Sequence, residues 1–444
     1  MRSFLQRCTR FSTYQTIALT FAALITCGTL LLMLPFASAT GQPLDFLDAL
    51  FTATSASCVT GLTVVDTGRY FTLFGQIVIL LLIQLGGLGL MTFATLFSVA
   101  FGKKISLQER LRIQESLNES ELTGVVKMCL HIFKFTLLIE FFFGSLLALC
   151  FYDTLGLKGV YFGYWHAVSA FCNAGFDLFG DFVSLTNYAA NLPVNLIITT
   201  LITLGSLGFT VMEDVLQKKN FKHLRLHSKL VLTTTAVLTV VGTLGFLFLE
   251  SGNTMATLPL NERVLISYFQ AVTPRTAGFN TIDLGNLRTV SFMFMIVLMF
   301  IGASPASTGG GVKTTTFALC ILAIRNLLHG NPELVIFDRR VEDTYVHRAL
   351  SILGLAVLWI VGATMLVANF EAANMEIIMF EVVSAFATVG LSTGLSQHLT
   401  EPSKVVLILT MFAGRVGIMT FAMALVGKGK PENVRYPKEK IMIG

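Results

Sequence analysis

Charged side chains are scarce in this chain of 444 residues. Aspartate, glutamate, lysine and arginine make up 13% of it, about half of the roughly 25% that is usual in soluble domains. A soluble protein of this size needs a mostly polar surface, and the residues for such a surface are missing. This scarcity excludes an ordinary soluble enzyme, a disordered chain and a nucleic-acid-binding protein. The net charge of +5 is modest, so its distribution matters more than its size.

Motifs for metal binding and catalysis are also missing. The seven cysteines are scattered without CxxC spacing, which predicts free thiols at Cys8, Cys27, Cys58, Cys129, Cys150, Cys172 and Cys320. No HExxH or Ser/His/Asp arrangement occurs, and the glycine-rich run at 302–316 lacks the GxxxxGK[ST] order of a phosphate-binding loop. We therefore expect a protein that is not an enzyme and that binds no nucleotide by itself.

Apolar residues, by contrast, make up 54% of the chain, and the mean hydropathy is +0.73. They form continuous runs, as in helices, and do not alternate as in a membrane barrel. A hydrocarbon core about 30 Å thick needs about 20 residues of helix. Eight runs of this length occur, at 15–36, 71–101, 126–151, 191–212, 229–249, 289–325, 346–369 and 403–427. The sequence predicts an all-α integral membrane protein with a retained N-terminal span, since no cleavage site follows the first run.

A shorter, semi-apolar stretch separates the two runs of each pair, with the length of a re-entrant helix. These stretches lie at 44–57, 162–172, 259–273 and 375–387. The loops that follow read SASCVTGLT, AFCNAGFD, TPRTAGFN and AFATVGLS, and they align at Gly61, Gly175, Gly278 and Gly390. A pattern that recurs in order along the chain indicates one structural unit used repeatedly.

The second run of each unit repeats as well. LGGLGLMTF (85–93), LGSLGFTVM (204–212) and AGRVGIMTF (413–421) align at two glycines, and GASPASTGGGVKTTT (302–316) replaces this motif in the third unit. We expect four pore units of helix, re-entrant segment and helix around a central pore. Their predicted bounds are 12–102, 126–217, 228–328 and 346–427, followed by a cytoplasmic tail at 428–444.

The basic residues predict the orientation in the membrane. Of the 31 lysines and arginines, 22 lie in the termini and in the linkers between units. Because such residues accumulate on the cytoplasmic side, both termini are expected to be cytoplasmic. All four re-entrant loops then open outward and in parallel.

Four parallel re-entrant loops suit a pore for a monovalent cation. Irregular backbone at membrane depth must be buried or line a water-filled path, and a ring of carbonyl groups replaces the hydration shell of an ion. Glycine allows the backbone conformations that this needs, and the C-terminal ends of short helices favour a cation. The candidate filter takes three residues from each loop: Val59, Thr60, Gly61, Asn173, Ala174, Gly175, Thr276, Ala277, Gly278, Thr388, Val389 and Gly390.

The sixth run is too long for one crossing, and a proline and three glycines interrupt it. We interpret the interruption as a mobile gate below the filter, with a tolerated kink as the alternative. Arg415 is an expensive charge inside the eighth run and is expected to act as a barrier to cations or an anchor of the loop, the alternative being a structural partner of a buried carbonyl. The candidate gate residues are Ser304, Pro305, Thr308, Gly309, Gly310, Gly311, Lys313 and Arg415.

For the other polar residues in the apolar runs and re-entrant segments, the sequence gives weaker indications of a function. Arg275 ends a re-entrant helix, where a cation is favourable, so a structural role is preferred over ion tuning. Glu140 and Lys134 share the third run and are expected to snorkel or to pair with other helices. Asn173 and Asp177 are candidates for tuning the filter.

The four glycine loops, above all TPRTAGFN at 273–280, and the SPASTGGGVKT segment resemble those of the Trk/Ktr/HKT superfamily of potassium transporters over nearly the whole chain. The length and the direct start at the first unit resemble the bacterial KtrB-type membrane subunit. The resemblance implies K⁺ uptake that is coupled to or stimulated by Na⁺, through a homodimer with one pore in each protomer. It also implies a bacterial plasma-membrane location and a cytosolic, octameric ring of RCK/KTN-type, KtrA-like subunits that bind ATP or ADP.

Three rival functions remain at this point. The first two are a Na⁺-permeable relative and a K⁺/Na⁺ symporter, although glycine at all four filter positions implies a preference for K⁺ by the same resemblance. The third is a secondary transporter with a solute site at the midplane. Such transporters often use inverted repeats, whereas these units are parallel. Membrane lipid is an expected partner in every case, and nucleic acid is not.

Overall fold

The computed structural model describes residues 12–89, 92–93, 95–96, 99, 110–111, 114, 125–331, 333–426 and 439. The labels below count the elements within these residues. The α-helices are α1 (Thr13–Leu32), α2 (Phe46–Cys58), α3 (Thr67–Tyr70), α4 (Leu73–Leu88), α5 (Val125–Leu155), α6 (Leu157–Phe171), α7 (Leu192–Leu207), α8 (Phe209–Lys218), α9 (Leu226–Glu250), α10 (Leu260–Val272), α11 (Thr289–Phe300), α12 (Thr314–Leu328), α13 (Asp343–Phe370), α14 (Met375–Ala387), α15 (Glu401–Val416) and α16 (Ile418–Val426).

Short elements complete the described part of the chain. Single 3₁₀ turns lie at Pro35–Ala37, Thr186–Tyr188, Phe221–His223, Leu284–Asn286 and Leu395–His398. The two strands, β1 (Val335–Ile336) and β2 (Arg339–Arg340), form an antiparallel hairpin in which Ile336 pairs with Arg339. Within the described residues the fold is therefore all-α apart from this hairpin, as the apolar runs predict.

Four helices are long and apolar enough to cross a membrane by themselves, namely α1, α5, α9 and α13. Two bent pairs, α7–α8 and α15–α16, meet the same criterion when each pair counts as one span. The helices α4, α11 and α12 are apolar but shorter. By length and composition, the described residues thus contain four to six spans, and the total of eight stays a prediction.

Two of the predicted spans are sharply bent helix pairs rather than single straight helices. The helix breaks at Gly208 between α7 and α8, with a bend of 97°, and at Gly417 between α15 and α16, with a bend of 104°. The φ angles of these glycines are 91° and 93°. A residue with such a φ cannot continue a right-handed helix, so the chain turns there.

The four short helices α2, α6, α10 and α14 lie where the re-entrant segments are predicted. The largest difference is at α6, which begins at Leu157 rather than at 162 because Gly156, with φ of 58°, turns the chain directly after α5. The C-terminal halves of these helices are among the most buried parts of the described chain; Cys58, Phe171, Phe269 and Phe386 are at most 1% exposed. The loops that follow the short helices are therefore held inside the protein.

Glycines on the second helix of three units allow this close packing. A Cβ atom on Gly86, Gly205 or Gly414 would lie 1.9, 1.9 or 1.8 Å from the carbonyl oxygen of Ser57, Phe171 or Phe386. Each of these carbonyls belongs to the residue four before the loop glycine. In the third unit Gly302 instead faces the carbonyl oxygen of Gly310, at 2.4 Å. Three of the four sequence motifs thus share one packing arrangement, and the third departs from it.

Gly414→Ala is expected to destabilise the folded protein by about 1–3 kcal/mol, because the added methyl group overlaps backbone that cannot move freely. The thermal stability of the purified protein in detergent, followed by size-exclusion chromatography, measures this. Gly362→Ala is the matched control, since Gly362 is also helical and has no neighbour within 4 Å of its Cβ position. Equal stability of the two variants would contradict the packing role.

Several predictions fall on residues outside the described part of the chain. These are the cytoplasmic tail at 428–444 except for residue 439, the end of the first unit at 102, and the basic residues Arg2, Arg7, Arg10, Lys103, Lys104 and Arg112. The free-thiol prediction is confirmed for Cys27, Cys58, Cys129, Cys150, Cys172 and Cys320. Cys8 lies outside the described residues.

Candidate ion filter and gate

The four loops that follow the short helices share one backbone conformation. Each opens with a non-glycine residue in the left-handed region, where such residues are uncommon. These residues are Val59, Asn173, Thr276 and Thr388, with φ of 58°, 58°, 66° and 52°. The glycines two residues later, Gly61, Gly175, Gly278 and Gly390, have φ of 92°, 72°, 80° and 87°. We call residues 59–61, 173–175, 276–278 and 388–390 the candidate filter loops.

The candidate filter loops form a closed ring. A Cβ atom added to each loop glycine would lie close to a backbone carbonyl oxygen of the next loop. In every case this carbonyl belongs to the residue that directly precedes the glycine of that next loop. The distances are 2.4 Å from Gly61 to Ala174, 2.9 Å from Gly175 to Ala277, 2.6 Å from Gly278 to Val389 and 2.1 Å from Gly390 to Thr60. Because the fourth loop contacts the first, all twelve predicted filter residues come together around one axis.

Hydroxyl groups at the ends of the short helices brace these loops. The Ser55 hydroxyl accepts a hydrogen bond from Gly61 N at 3.1 Å, and the Ser384 hydroxyl accepts one from Gly390 N at 3.1 Å. In the second loop, the Ser169 hydroxyl donates to the carbonyl oxygen of Phe176 at 2.7 Å. In the third loop, Thr273 donates to the carbonyl oxygen of Phe279.

A cavity of about 200 Å³ lies on one side of the ring, next to the residues that come after the loop glycines in the sequence. The four glycines line it, together with the polar residue two positions after each, namely Thr63, Asp177, Asn280 and Ser392. Asp66 and Asp283 also line it, and sequence reasoning missed both. Each caps a short helical turn, so its sequence signal is only that of a helix N-cap. Three carboxyl groups at this mouth favour the approach of cations.

A second cavity, of about 240 Å³, lies on the side of the short helices. Pro305, Gly309, Gly311, Lys313 and Arg415 are among its lining residues. These are predicted gate residues, so the structure brings them together on one side of the candidate filter loops, opposite the acidic mouth.

Residues 301–313, which we call the interrupting loop, separate α11 from α12. Its two ends are joined, since Gly302 N donates to the carbonyl oxygen of Val312 at 2.9 Å. Its middle contacts the ends of the short helices. Gly310 N donates to the Thr388 hydroxyl at 3.0 Å, and the Thr308 hydroxyl donates to the carbonyl oxygen of Phe171 at 3.2 Å. The predicted break in the sixth run is therefore a loop directly against the candidate filter loops.

Glycine is required where the interrupting loop passes closest to the candidate filter loops. A Cβ atom on Gly309 would lie 2.0 Å from the Thr276 hydroxyl oxygen, and one on Gly310 would lie 2.5 Å from that of Thr388. Ser304 N donates to the carbonyl oxygen of Ser206 at 3.0 Å. The loop thus fills the space between α7 and the candidate filter loops.

Arg415 joins the interrupting loop to α4. Its guanidinium group donates to the carbonyl oxygens of Thr308, Gly86 and Gly87, the last at 3.0 Å. Lys313 Nζ donates to the carbonyl oxygen of Gly309 at 2.7 Å. Neither cation forms an ion pair with a carboxylate of the described residues. Two basic side chains therefore line the second cavity, and carbonyl oxygens accept their hydrogen bonds.

The remaining polar residues from the sequence lie apart from this cavity. Arg275 is buried at 3% exposure at the end of α10, and the described residues offer its Nε no acceptor. We assign the Asn173 amide so that its nitrogen donates to Ala170 O and Ile202 O, and its oxygen accepts from the Thr276 hydroxyl at 3.1 Å. Asn173 thereby links the second and third candidate filter loops.

Residues 6–433 match the family model TrkH, described as a cation transport protein. The chain belongs to the TrkH family. Potassium uptake protein B of the Ktr system of Bacillus subtilis is 43% identical over 440 residues, which cover 98% of this chain and 97% of that protein. The potassium/sodium uptake protein NtpJ of Enterococcus hirae is 40% identical over 443 residues, which cover 98% of each chain.

The potassium transporter TrkH of Vibrio parahaemolyticus has a similar fold. The TM-score is 0.75 at 18% sequence identity, over 94% of this chain and 85% of that one. Together with the apolar helices, membership of the TrkH family identifies the chain as a multi-pass membrane transport protein. The prediction that it is not an enzyme is confirmed by these relatives, which are ion uptake proteins.

Proposed function

We propose that this TrkH-family chain is a K⁺ uptake pore subunit whose selectivity filter is the closed ring of candidate filter loops. The observation that carries the proposal is the contact of each loop glycine with a carbonyl of the next loop, from Gly61 round to Gly390. A ring of carbonyl groups binds a dehydrated monovalent cation. The potassium uptake named for the Bacillus subtilis relative supports the choice of K⁺.

The same proposal gives the chain four pore units, at 12–102, 126–217, 228–328 and 346–427, with both termini in the cytoplasm of a bacterium. Ions would enter from the acidic mouth, pass the ring and reach the second cavity. There the interrupting loop, with Lys313 and Arg415, would close the path when it lies as in this structure. Membrane lipid surrounds the spans.

Partners are the part of the proposal that rests most on resemblance. A homodimer and a cytosolic, octameric, nucleotide-binding ring of KtrA-like subunits are what the family implies. The designation "Ktr system" in the names of relatives supports a component beyond the membrane subunit. ATP or ADP would then act on this chain only through that ring.

Na⁺ is the second candidate ion. The Enterococcus hirae relative is named as a potassium/sodium uptake protein, which favours coupling to Na⁺, stimulation by Na⁺ or some passage of Na⁺. A solute transporter with a site at the midplane has no comparable support.

Expression in a bacterium that lacks K⁺ uptake is expected to restore growth at low K⁺ when the cytosolic ring is supplied. Uptake of K⁺ measured with and without external Na⁺ then separates K⁺ uptake from Na⁺-dependent K⁺ uptake. Gly61→Ser is the control, because its Cβ atom would lie only 2.4 Å from the carbonyl oxygen of Ala174 in the next loop. Failure of the chain to restore growth when the cytosolic ring of subunits is present counts against the proposed filter. Equal restoration of growth by Gly61→Ser also counts against it.

A further inference from the structure

Glu140 is a buried carboxyl group inside the membrane-spanning helix α5, and the proposed pore gives it no role. It is 5% exposed. Both of its oxygens accept hydrogen bonds from Nε2 of Gln84 in α4, at 3.0 and 3.1 Å. Lys134 on the same helix is exposed, and within the described part of the chain no basic group pairs with Glu140. Ionisable groups at such places are expensive and usually functional.

Gln84 connects this carboxyl group to the second candidate filter loop. Its Oε1 atom accepts a hydrogen bond from the Cys172 thiol, with a distance of 3.4 Å. Cys172 is fully buried and directly precedes Asn173, the left-handed residue that opens the loop. A chain of contacts therefore runs from α5 through α4 to the base of the filter.

In its ionised form, Glu140 decides which way the Gln84 amide points. A carboxylate accepts hydrogen bonds only, whereas an amide has a donating end and an accepting end. When Glu140 holds the Gln84 nitrogen, the Gln84 oxygen must face Cys172, and the thiol is the donor. A neutral amide at position 140 would leave both orientations of Gln84 open.

The thiol also lies close to the backbone that holds Arg415. A Cβ atom on Gly87 would be 2.9 Å from Cys172 Sγ, and the Gly87 carbonyl accepts from Arg415 at 3.0 Å. The position of the thiol thus affects the filter loop on one side and α4 on the other. Packing alone does not require this arrangement, because apolar residues of similar volume often stabilise a buried site at least as well.

We propose that Glu140 is a positioning residue for ion selectivity. Through Gln84, and through its own Oε1 atom 4.0 Å from the thiol sulfur, it fixes the Cys172 thiol. Through that thiol it fixes the backbone of 173–175 in the candidate filter. The proposal rests on the proposed function, in which this backbone binds K⁺. It adds a residue that determines ion selectivity although it lies outside the pore lining and outside the loop motif.

Glu140→Gln is expected to lower the ratio of K⁺ to Na⁺ uptake about tenfold, since groups in one hydrogen-bond network are strongly coupled. The apparent KM for K⁺ should rise, while Vmax and the amount of protein in the membrane stay near wild type. Adding Cys172→Ser should restore most of the ratio, because a hydroxyl group accepts from an amide nitrogen as readily as it donates. Lys134→Gln removes an exposed charge from the same helix and should leave the ratio unchanged.

Cys172→Ala is the second test, because it removes the thiol and keeps Glu140 and Gln84. It too should lower the ratio, and it decides the matter alone where Glu140→Gln does not accumulate. An unchanged ratio and KM in the accumulating variants, with normal K⁺ uptake, would overturn the role of Glu140 and leave the proposed function intact. Absence of K⁺ uptake by the unaltered chain would instead remove the proposed function itself.

Discussion

Gly278→Ala is expected to abolish selective K⁺ uptake. The added Cβ atom would lie 2.6 Å from the carbonyl oxygen of Val389 and 2.7 Å from the Cα atom of Gly175, so it would push two neighbouring loops out of the ring. The φ of 80° adds strain, because L-residues there lose about 1–2 kcal/mol. Misplacement of binding groups by about 1 Å costs on the order of 10²-fold in function, and a similar loss in the K⁺ to Na⁺ uptake ratio is expected.

Gly394→Ala is the matched control for this experiment. Gly394 has a φ of 96° and lines the acidic mouth, but no atom lies within 4 Å of its Cβ position. It therefore has the same backbone strain as Gly278 without the collision. Tracer uptake of K⁺ and Na⁺ in cells with equal amounts of each variant separates the two effects. If Gly278→Ala retains the ratio, or if both variants lose it equally, the carbonyl ring does not determine selectivity.

The order of the helices and the places of the short ones could be predicted from the sequence, because hydrophobic runs and spacing decide them locally. The short helix α14 spans Met375–Ala387, the same range as its predicted segment. The repeats also located the loop glycines, since a position that admits no side chain must read as glycine in every unit. Such features depend on residues close together in the chain.

The breaks at Gly208 and Gly417 could not be predicted in the same way. Many glycines lie within helices here, Gly144 and Gly245 among them, so a glycine in an apolar run does not reveal its φ. The break at Gly208 depends on a distant segment, because a Cβ atom there would lie 2.4 Å from the carbonyl oxygen of Pro305. The aligned second glycine of the motif was the only available signal.

The hydrogen-bond partners of the buried charged residues could be identified only from the three-dimensional structure. Arg415 was recognised as exceptional from its place in an apolar run, yet its acceptors lie more than 100 residues away along the chain, at Thr308 and Gly86. Glu140 was expected to snorkel or to pair with other helices, and it pairs with α4 through Gln84. No spacing rule relates such residues, since the contacts form only when different units pack together.

The third unit shows why the interrupting loop can occupy its place. In the other units, a glycine of the second helix packs against the end of the short helix, as Gly414 does against Phe386. The corresponding Gly302 contacts Gly310 of the interrupting loop instead. The third unit has exchanged a helix contact for a loop contact, and hydrogen bonds join the loop to α7, to Thr388 and to Arg415.

Arg415→Ala is expected to raise K⁺ flux about tenfold or more when the cytosolic ring is absent. The substitution removes the donors to Thr308 and Gly86 and leaves their carbonyl groups without partners. A buried group without its hydrogen bond costs about 1–3 kcal/mol, and each 1.4 kcal/mol changes an equilibrium about tenfold. The lost hydrogen bonds raise the free energy of the closed position of the interrupting loop. The population of the open position therefore increases. Deletion of 308–311 removes the same contacts and should have the same effect.

Arg415→Lys separates the two ways in which this residue would restrict flux. Lysine keeps the positive charge but lacks the planar group that reaches several carbonyls at once. If Arg415 anchors the interrupting loop, the lysine variant conducts nearly as well as the alanine variant. If the charge itself repels cations in the second cavity, the lysine variant stays close to wild type, and Lys313→Met should then raise the flux as well. Uptake of K⁺ into proteoliposomes measures all four variants, and unchanged flux in every one of them would show that the interrupting loop does not close the pore.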